Sequence, residues 1–131
     1  DFCLSRGLGD VYKRQTFKGP NSQNGGTAAC IYQDQAGNEL NVIYDSPGES
    51  KSKWVATDPS NIGEPAPAVS GLGEAAFDTT TLGHAEVDIY ESSSKEVAVT
   101  LDPNNGATIT PSELTEVLAV GHSLVRLPYP G

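Results

Sequence analysis

An alternation of apolar and polar positions is clearest between residues 83 and 101 of the chain. In the first half the apolar positions are Ala85, Val87 and Ile89, and the polar ones are His84, Glu86, Asp88 and Tyr90. In the second half, after the polar turn Glu91–Lys95, the apolar positions are Val97, Val99 and Leu101. A period of two is typical of a strand that buries one face, so this stretch predicts a β-hairpin with one apolar side.

A second hairpin is predicted nearer the N-terminus. Residues 28–33 (AACIYQ) and 39–45 (ELNVIYD) both carry strand-type patterns, and the turn between them contains Gly37. Glycine adopts a positive φ without steric cost, which suits such a turn. Residues 72–78 (LGEAAFD) are a further strand candidate. Together these stretches predict an antiparallel sheet of about five strands.

One strong helix is predicted after residue 110. Thr110 is the N-cap, Pro111 occupies the first helical position, and Glu113 completes a capping box. The apolar positions that follow with helical spacing are Leu114, Val117, Leu118, Gly121, Leu124 and Val125. Residues 51–57 (KSKWVAT) fit one short helical turn. A sheet with one apolar face covered by a C-terminal amphipathic helix is an α+β fold.

Length and charge restrict the classes of function. The 131 residues suffice for one domain, and eight basic residues against 17 acidic ones give a net charge of −9. Binding to nucleic acid or to an anionic membrane needs clustered Lys and Arg, so both kinds of partner are excluded. Apolar runs of roughly 20 residues, the length of a membrane span, do not occur.

The N-terminal stretch differs from the rest of the chain. Residues 3–15 (CLSRGLGDVYKRQ) resemble translated sequencing-adapter sequence from the gene ends of metagenome assemblies. The resemblance implies that residues 1–15 are non-native and that the true N-terminus is missing. Residues 16–27, rich in Gly, Asn and Ser, then predict a flexible lead-in. Residues 28–128 form the expected single domain.

Three kinds of motif in the chain bear on catalysis and on cofactor or metal binding. Gly71–Ala76 fits G-x-G-x-x-A, but the residues after it favour a strand, whereas a dinucleotide site needs a helix there. His84 and His122 lack the spacing of zinc ligands, and the serines lack a nucleophile elbow. We therefore expect no catalytic residue, no cofactor and no metal ligand.

The residues that remain suggest an interaction surface. Glu86 and Asp88 belong to a carboxylate row on the polar side of one strand, beside Tyr90. Trp54 follows Lys51 and Lys53, and two interpretations apply to it: packing under the irregular segment, or stacking on a ligand. The candidate interaction surface therefore comprises Trp54, Glu86, Asp88 and Tyr90.

The order of these features resembles small actinobacterial cell-envelope lipoproteins of unknown function. The features are a cysteine-bearing strand (Cys30-Ile31-Tyr32), the lone Trp54, Val69–Ala76 (VSGLGEAA), two alternating strands, and Leu124–Pro128 (LVRLP). The chain is also similar to the PsbP-like α/β/α sandwich, whose N-terminal helix would here be lost upstream. The resemblance implies an extracytoplasmic domain tethered to the membrane only through a missing lipidated N-terminus.

Three hypotheses for function follow. The first is a non-catalytic extracytoplasmic binding or interaction domain, with an unknown protein or small-molecule ligand. The second is a small hydrolase-type enzyme that uses a His–carboxylate pair, and the third is an intracellular PsbP-like protein-binding module. Cys30 is either a buried thiol or, in an envelope protein, one half of a disulfide with an upstream cysteine.

Overall fold

The computed structural model describes residues 16–23, 27–33, 37–57, 66–80 and 83–125. Within them lie six strands and two α-helices, with a short 3₁₀ turn at Asn104–Gly106. In chain order the elements are β1 (Thr16–Gln23), β2 (Thr27–Gln33), β3 (Glu39–Asp45), α1 (Lys51–Thr57), β4 (Ala75–Asp78), β5 (Ala85–Ser92), β6 (Lys95–Asp102) and α2 (Pro111–Leu124). The strands form one antiparallel sheet in the order β1-β2-β3-β6-β5-β4.

The two predicted hairpins join through β3 and β6. Val42 is opposite Val99, and Val99 is in turn opposite Val87 of β5. This register continues the apolar positions of one strand into the next, so one side of the sheet becomes a continuous apolar surface. We call it the inner face. Its side chains are almost fully buried, with Val87 and Val99 at 0% exposure.

Helix α2 covers the inner face. Thr110 Oγ1 accepts a hydrogen bond from Glu113 N, and Glu113 Oε1 accepts one from Thr110 N at 2.9 Å, so the predicted capping box is present. Val117 and Val120 are buried against the sheet. Helix α2 and the inner face therefore enclose the hydrophobic core.

Helix α1 lies on the opposite side of the sheet, which we call the outer face. Ser50 begins this helix, because its Oγ accepts a hydrogen bond from Lys53 N at 3.3 Å. A hydrogen bond from Gly48 N to Ser93 O, at 2.8 Å, ties the connection before α1 to the turn between β5 and β6. These bonds hold α1 over one end of the outer face.

The α+β class, the covering of the inner face and both hairpins are confirmed. The number of about five strands is not confirmed, because residues 16–23 add β1 where a flexible lead-in is predicted. The run TFKGPNSQ has no alternation and contains Pro20, which weakens any strand prediction. β1 is an edge strand, the position in a sheet that tolerates proline. The predicted domain limits at residues 15 and 128 lie outside the described residues.

Candidate functional site

The polar side chains of three strands meet on the outer face. Register places one residue from each strand in the same row, so that Asn41 of β3, Thr100 of β6 and Glu86 of β5 are neighbours. In full, the outer-face positions of these strands are Glu39, Asn41, Ile43 and Asp45, then Glu96, Ala98, Thr100 and Asp102, and finally His84, Glu86, Asp88 and Tyr90. Six of these positions hold a carboxylate, and Lys and Arg are absent from them.

His84 lies between two carboxylates at the end of the outer face far from α1. Its Nε2 is 3.1 Å from Glu86 Oε1, and its Nδ1 is 3.8 Å from Asp102 Oδ1. Asn41 Nδ2 donates to Asp102 Oδ2 and to Glu39 Oε1, in both cases at 3.4 Å. The His84 side chain is 36% exposed and that of Asp102 is 49% exposed, so the cluster is open to water.

The loop before His84 is fixed to β5 by hydrogen bonds. Thr79 N donates to Glu86 O at 3.1 Å. Glu86 N donates to Thr80 Oγ1 at 3.0 Å, and that hydroxyl donates to Glu86 O. The backbone of Glu86 is therefore held from its β4 side, which leaves its carboxylate on the outer face beside His84.

This cluster does not have the arrangement of a metal site. Each carboxylate lies against a different ring nitrogen of His84, whereas a metal ion binds one nitrogen and needs the other ligands around that same point. Among the residues that the structure describes, no group of three or more His, Cys, Asp or Glu side chains could hold a metal ion. The arrangement instead suits hydrogen bonding to the imidazole or its cation.

Trp54 and Tyr90 form a packed cluster rather than an open surface. Trp54 is 2% exposed and Tyr90 is 5% exposed. The Trp54 ring lies 5.4 Å from the Tyr90 ring and 5.8 Å from the Phe77 ring, measured between centroids. The sequence places these two residues on the interaction surface, but the structure buries both, because α1 covers the end of the outer face to which they belong. Of the two interpretations of Trp54, packing is the one that fits.

Polar atoms of this cluster have partners as well. Trp54 Nε1 donates to Glu96 Oε2 at 2.7 Å, and the Tyr90 hydroxyl donates to Glu49 O at 2.8 Å. Both bonds link α1 or its lead-in to the sheet. A shallow cavity of about 220 Å³ lies beside them, and its lining includes Asp45, Glu49 and Glu96.

The other candidate residues lie on three different elements, β5, α2 and β2. Glu86 and Asp88 lie partly exposed on the outer face, as the alternation predicts. His122 is exposed on α2. Cys30 lies in β2, opposite Val42 in the register; its side chain, like Cys3, lies outside the described part.

Sequence reasoning missed Glu39, Asn41 and Asp102 as neighbours of His84. Each is an outward position of a predicted strand or directly follows one, so the alternation indicates that its side chain points away from the core, as that of His84 does. The pairing of β3 with β6, which joins residues about 60 positions apart, is not encoded in any local pattern.

Gly71–Ala76 leads into a strand, as predicted, and not into a helix. Gly71 and Gly73 have φ of +75° and +64°, and Leu72 between them is buried in the core. The two glycines therefore serve a turn that inserts Leu72, and the strand after them lacks the helix dipole that a pyrophosphate needs.

Comparison with known protein families, with curated protein sequences and with solved structures gives no match for this chain. In the part of the chain that the structure describes, neither helix has the length and apolar character required to cross a membrane.

Proposed function

We propose that the chain is a non-catalytic binding or interaction domain of a bacterial cell-envelope lipoprotein, acting outside the cytoplasm. The contact surface is the end of the outer face that α1 leaves open, around Asn41, Thr100 and Glu86. The observation that carries the proposal is the unequal covering of the sheet by the described residues: α2 buries the inner face, whereas Trp54 packs on one end of the outer face and Asn41, Thr100 and Glu86 stay partly exposed. A partly exposed sheet surface can serve as the contact surface for a ligand.

Within this proposal the fold is PsbP-like. Helices on both sides of an antiparallel sheet support that comparison, since α2 and α1 lie on opposite faces. An intracellular PsbP-like module would use the same surface. The upstream reading frame distinguishes these two: a secretory leader followed by a lipidated cysteine is expected for the envelope protein, and its absence would favour the intracellular module.

A second candidate function is a small hydrolase-type enzyme centred on His84. The 3.1 Å contact between His84 and Glu86 favours it, because a carboxylate that orients an imidazole is a feature of general-base catalysis. The exposure of the His84 cluster argues against an enzyme, because the His84 and Asp102 side chains are 36% and 49% exposed. The cavity lined by Glu96 lies at the other end of β6, six residues from Asp102, which is about 20 Å along the strand.

One experiment separates the two functions. The purified chain and its His84→Gln variant are assayed for turnover of chromogenic esters, amides, phosphoesters and glycosides. The binding domain predicts equal background rates for both proteins. A rate that disappears in His84→Gln, while the variant keeps the folded Trp54 fluorescence, would overturn the non-catalytic proposal.

Binding itself is measured with ¹⁵N-labelled protein titrated with size-fractionated envelope extract. The expected result is saturable chemical-shift change at backbone amides of β3, β5 and β6. Changes confined to α2, or none at saturating extract, would contradict the assigned surface. The variant Thr100→Lys, at the centre of the open surface, should suppress the response, and Ser112→Lys on exposed α2 is the control.

A further inference from the structure

We propose that the end of the outer face covered by α1 is a binding site for a Trp side chain of a partner protein, and that α1 keeps this site closed with its own Trp54. The inference rests on the proposed function, because it adds a ligand class and a control of access to the same face of the sheet. It is carried by the way the sheet holds the Trp54 ring and by the weak attachment of α1.

One side chain from each of three strands holds the Trp54 indole. The rings of Tyr90 in β5 and Phe77 in β4 lie 5.4 Å and 5.8 Å from it between centroids, tilted by 41° and 31°. Separations and tilts of this kind are favourable for aromatic pairs. Glu96 Oε2 in β6 accepts a hydrogen bond from the indole Nε1 at 2.7 Å. We call Phe77, Tyr90 and Glu96 the indole site.

The indole site distinguishes an indole from other flat rings. The two aromatic side chains pack on any such ring, whereas the carboxylate accepts a hydrogen bond only from a ring that carries a donor. A bond from N–H to a carboxylate is also stronger than one between neutral groups. A phenyl ring in the same place would leave the partly buried Glu96 without this donor, which is unfavourable.

Helix α1 is a weakly attached cover of this site. Of its seven residues, all described by the structure, Trp54 alone is buried. Isolated helices shorter than about 12–15 residues are marginal in water, so α1 depends on this one side chain. Hydrogen bonds from the Tyr90 hydroxyl to Glu49 O and from Gly48 N to Ser93 O attach its lead-in to the sheet.

The packing of α1 on the sheet is incomplete, because the cavity of about 220 Å³ lies beside Trp54. A segment with few buried contacts opens at a lower free energy than the core, so α1 can leave while the sheet and α2 stay folded. Trp54 and the partner's indole then compete for the same site. Since Trp54 is attached to the chain, its effective concentration there is on the order of millimolar. α1 therefore acts as an autoinhibitory contact.

The test uses the full ¹⁵N-labelled chain and two unlabelled synthetic peptides, one with a single Trp flanked by Gly and Ser, the other with Phe in its place. The chain has one Trp, so a single indole N–H resonance reports whether Trp54 occupies the site. The Trp peptide should shift the amides of Tyr90 and Glu96 and move the Trp54 resonance toward that of an exposed indole. The Phe peptide should bind at least about tenfold more weakly, because it lacks the donor.

Two variants open the site by different routes. Trp54→Ala removes the internal occupant and should lower the Kd of the Trp peptide at least about tenfold. Ser50→Ala keeps Trp54 but removes the Oγ that accepts from Lys53 N, so α1 opens more often and the Kd should fall about fivefold. This second variant decides the matter if Trp54→Ala fails to fold. Ser52→Ala, on an exposed position of α1, is the control and should leave the Kd within about twofold.

The inference is overturned if the Trp peptide binds none of the folded open variants, or if its Kd is the same for the wild type, Trp54→Ala and Ser50→Ala. Equal binding of the Trp and Phe peptides would reject the indole as the ligand. The proposed function is tested separately. Shifts around Thr100 with envelope extract would support it even where the Trp peptide fails, and turnover that depends on His84 would reject it whatever the peptide does.

Discussion

Gly121 of α2 lies directly over Ile89 of β5. A Cβ atom built at position 121 would be 3.1 Å from Ile89 Cδ1 and 3.6 Å from Val87 Cγ1. The absence of a side chain therefore sets how closely α2 approaches the inner face. The same position is the one non-bulky member of the apolar stripe from Leu114 to Val125, which is how the sequence indicates a close approach.

We expect Gly121→Val to destabilise the protein by about 1–3 kcal/mol, because extra methyl groups overpack this contact. Gly121→Ala should be nearly neutral, since the helix propensity of Ala, about 1 kcal/mol better than Gly, offsets a small displacement of Ile89 Cδ1. Urea unfolding measures both. In an Ile89→Val background, which removes Cδ1, the cost of Gly121→Val should fall. An unchanged cost in that background would show that Ile89 does not set the approach.

The bond from Trp54 Nε1 to Glu96 Oε2 fastens α1 to the outer face. We expect Trp54→Phe to lower the free energy of unfolding by about 1–3 kcal/mol, since it leaves a partly buried carboxylate without its indole donor. Glu96→Gln should cost less, because its amide oxygen still accepts. Chemical denaturation followed by circular dichroism gives both values. A Trp54→Phe cost no larger than that of Thr57→Ala, on the exposed side of α1, would contradict this role.

The sequence predicts those elements whose structure depends on residues that are close together in the chain. The N-terminal end of α2 follows from Thr110, Pro111 and Glu113, because the capping bonds between Thr110 and Glu113 close within three residues. The hairpin of β5 and β6 follows from an alternation that one short turn connects. In both cases the residues that decide the structure are neighbours in sequence.

Features that depend on distant pairing were not predicted. The sequence predicts α1 as a short helical turn, but the side of the sheet that α1 covers depends on Glu96, 42 residues from Trp54. The neighbours of His84 depend in the same way on which strand lies beside β6. Of the four residues of the predicted surface, Glu86 and Asp88 are partly exposed, whereas Trp54 and Tyr90 are buried. The alternation could not indicate this burial, because covering by α1 is a tertiary property.

The pair His84 and Glu86 should contribute little to stability. Their side chains are 36% and 23% exposed, and partly exposed ion pairs contribute at most about 1 kcal/mol. A double-mutant cycle of His84→Gln and Glu86→Gln, measured by urea unfolding, should give a coupling energy below that value. A coupling well above it would indicate a desolvated pair, and would strengthen the enzymatic alternative.

Gly71 and Gly73 provide a matched test of the turn that inserts Leu72. Both have positive φ, so an Ala at either position incurs the left-handed strain of about 1–2 kcal/mol. They differ in surroundings: a Cβ at position 71 meets nothing within 4 Å, whereas at position 73 it would lie 2.7 Å from Ile89 Cγ2 and 2.8 Å from Tyr90 O.

We therefore expect Gly71→Ala to cost only the strain, and Gly73→Ala to cost at least about 1 kcal/mol more, because backbone oxygen cannot move aside as a side chain can. Differential scanning calorimetry and urea unfolding of the two variants measure the difference. Equal costs would mean that Gly73 is required for its φ alone. A larger cost at Gly71 would contradict the packing of this turn against β5.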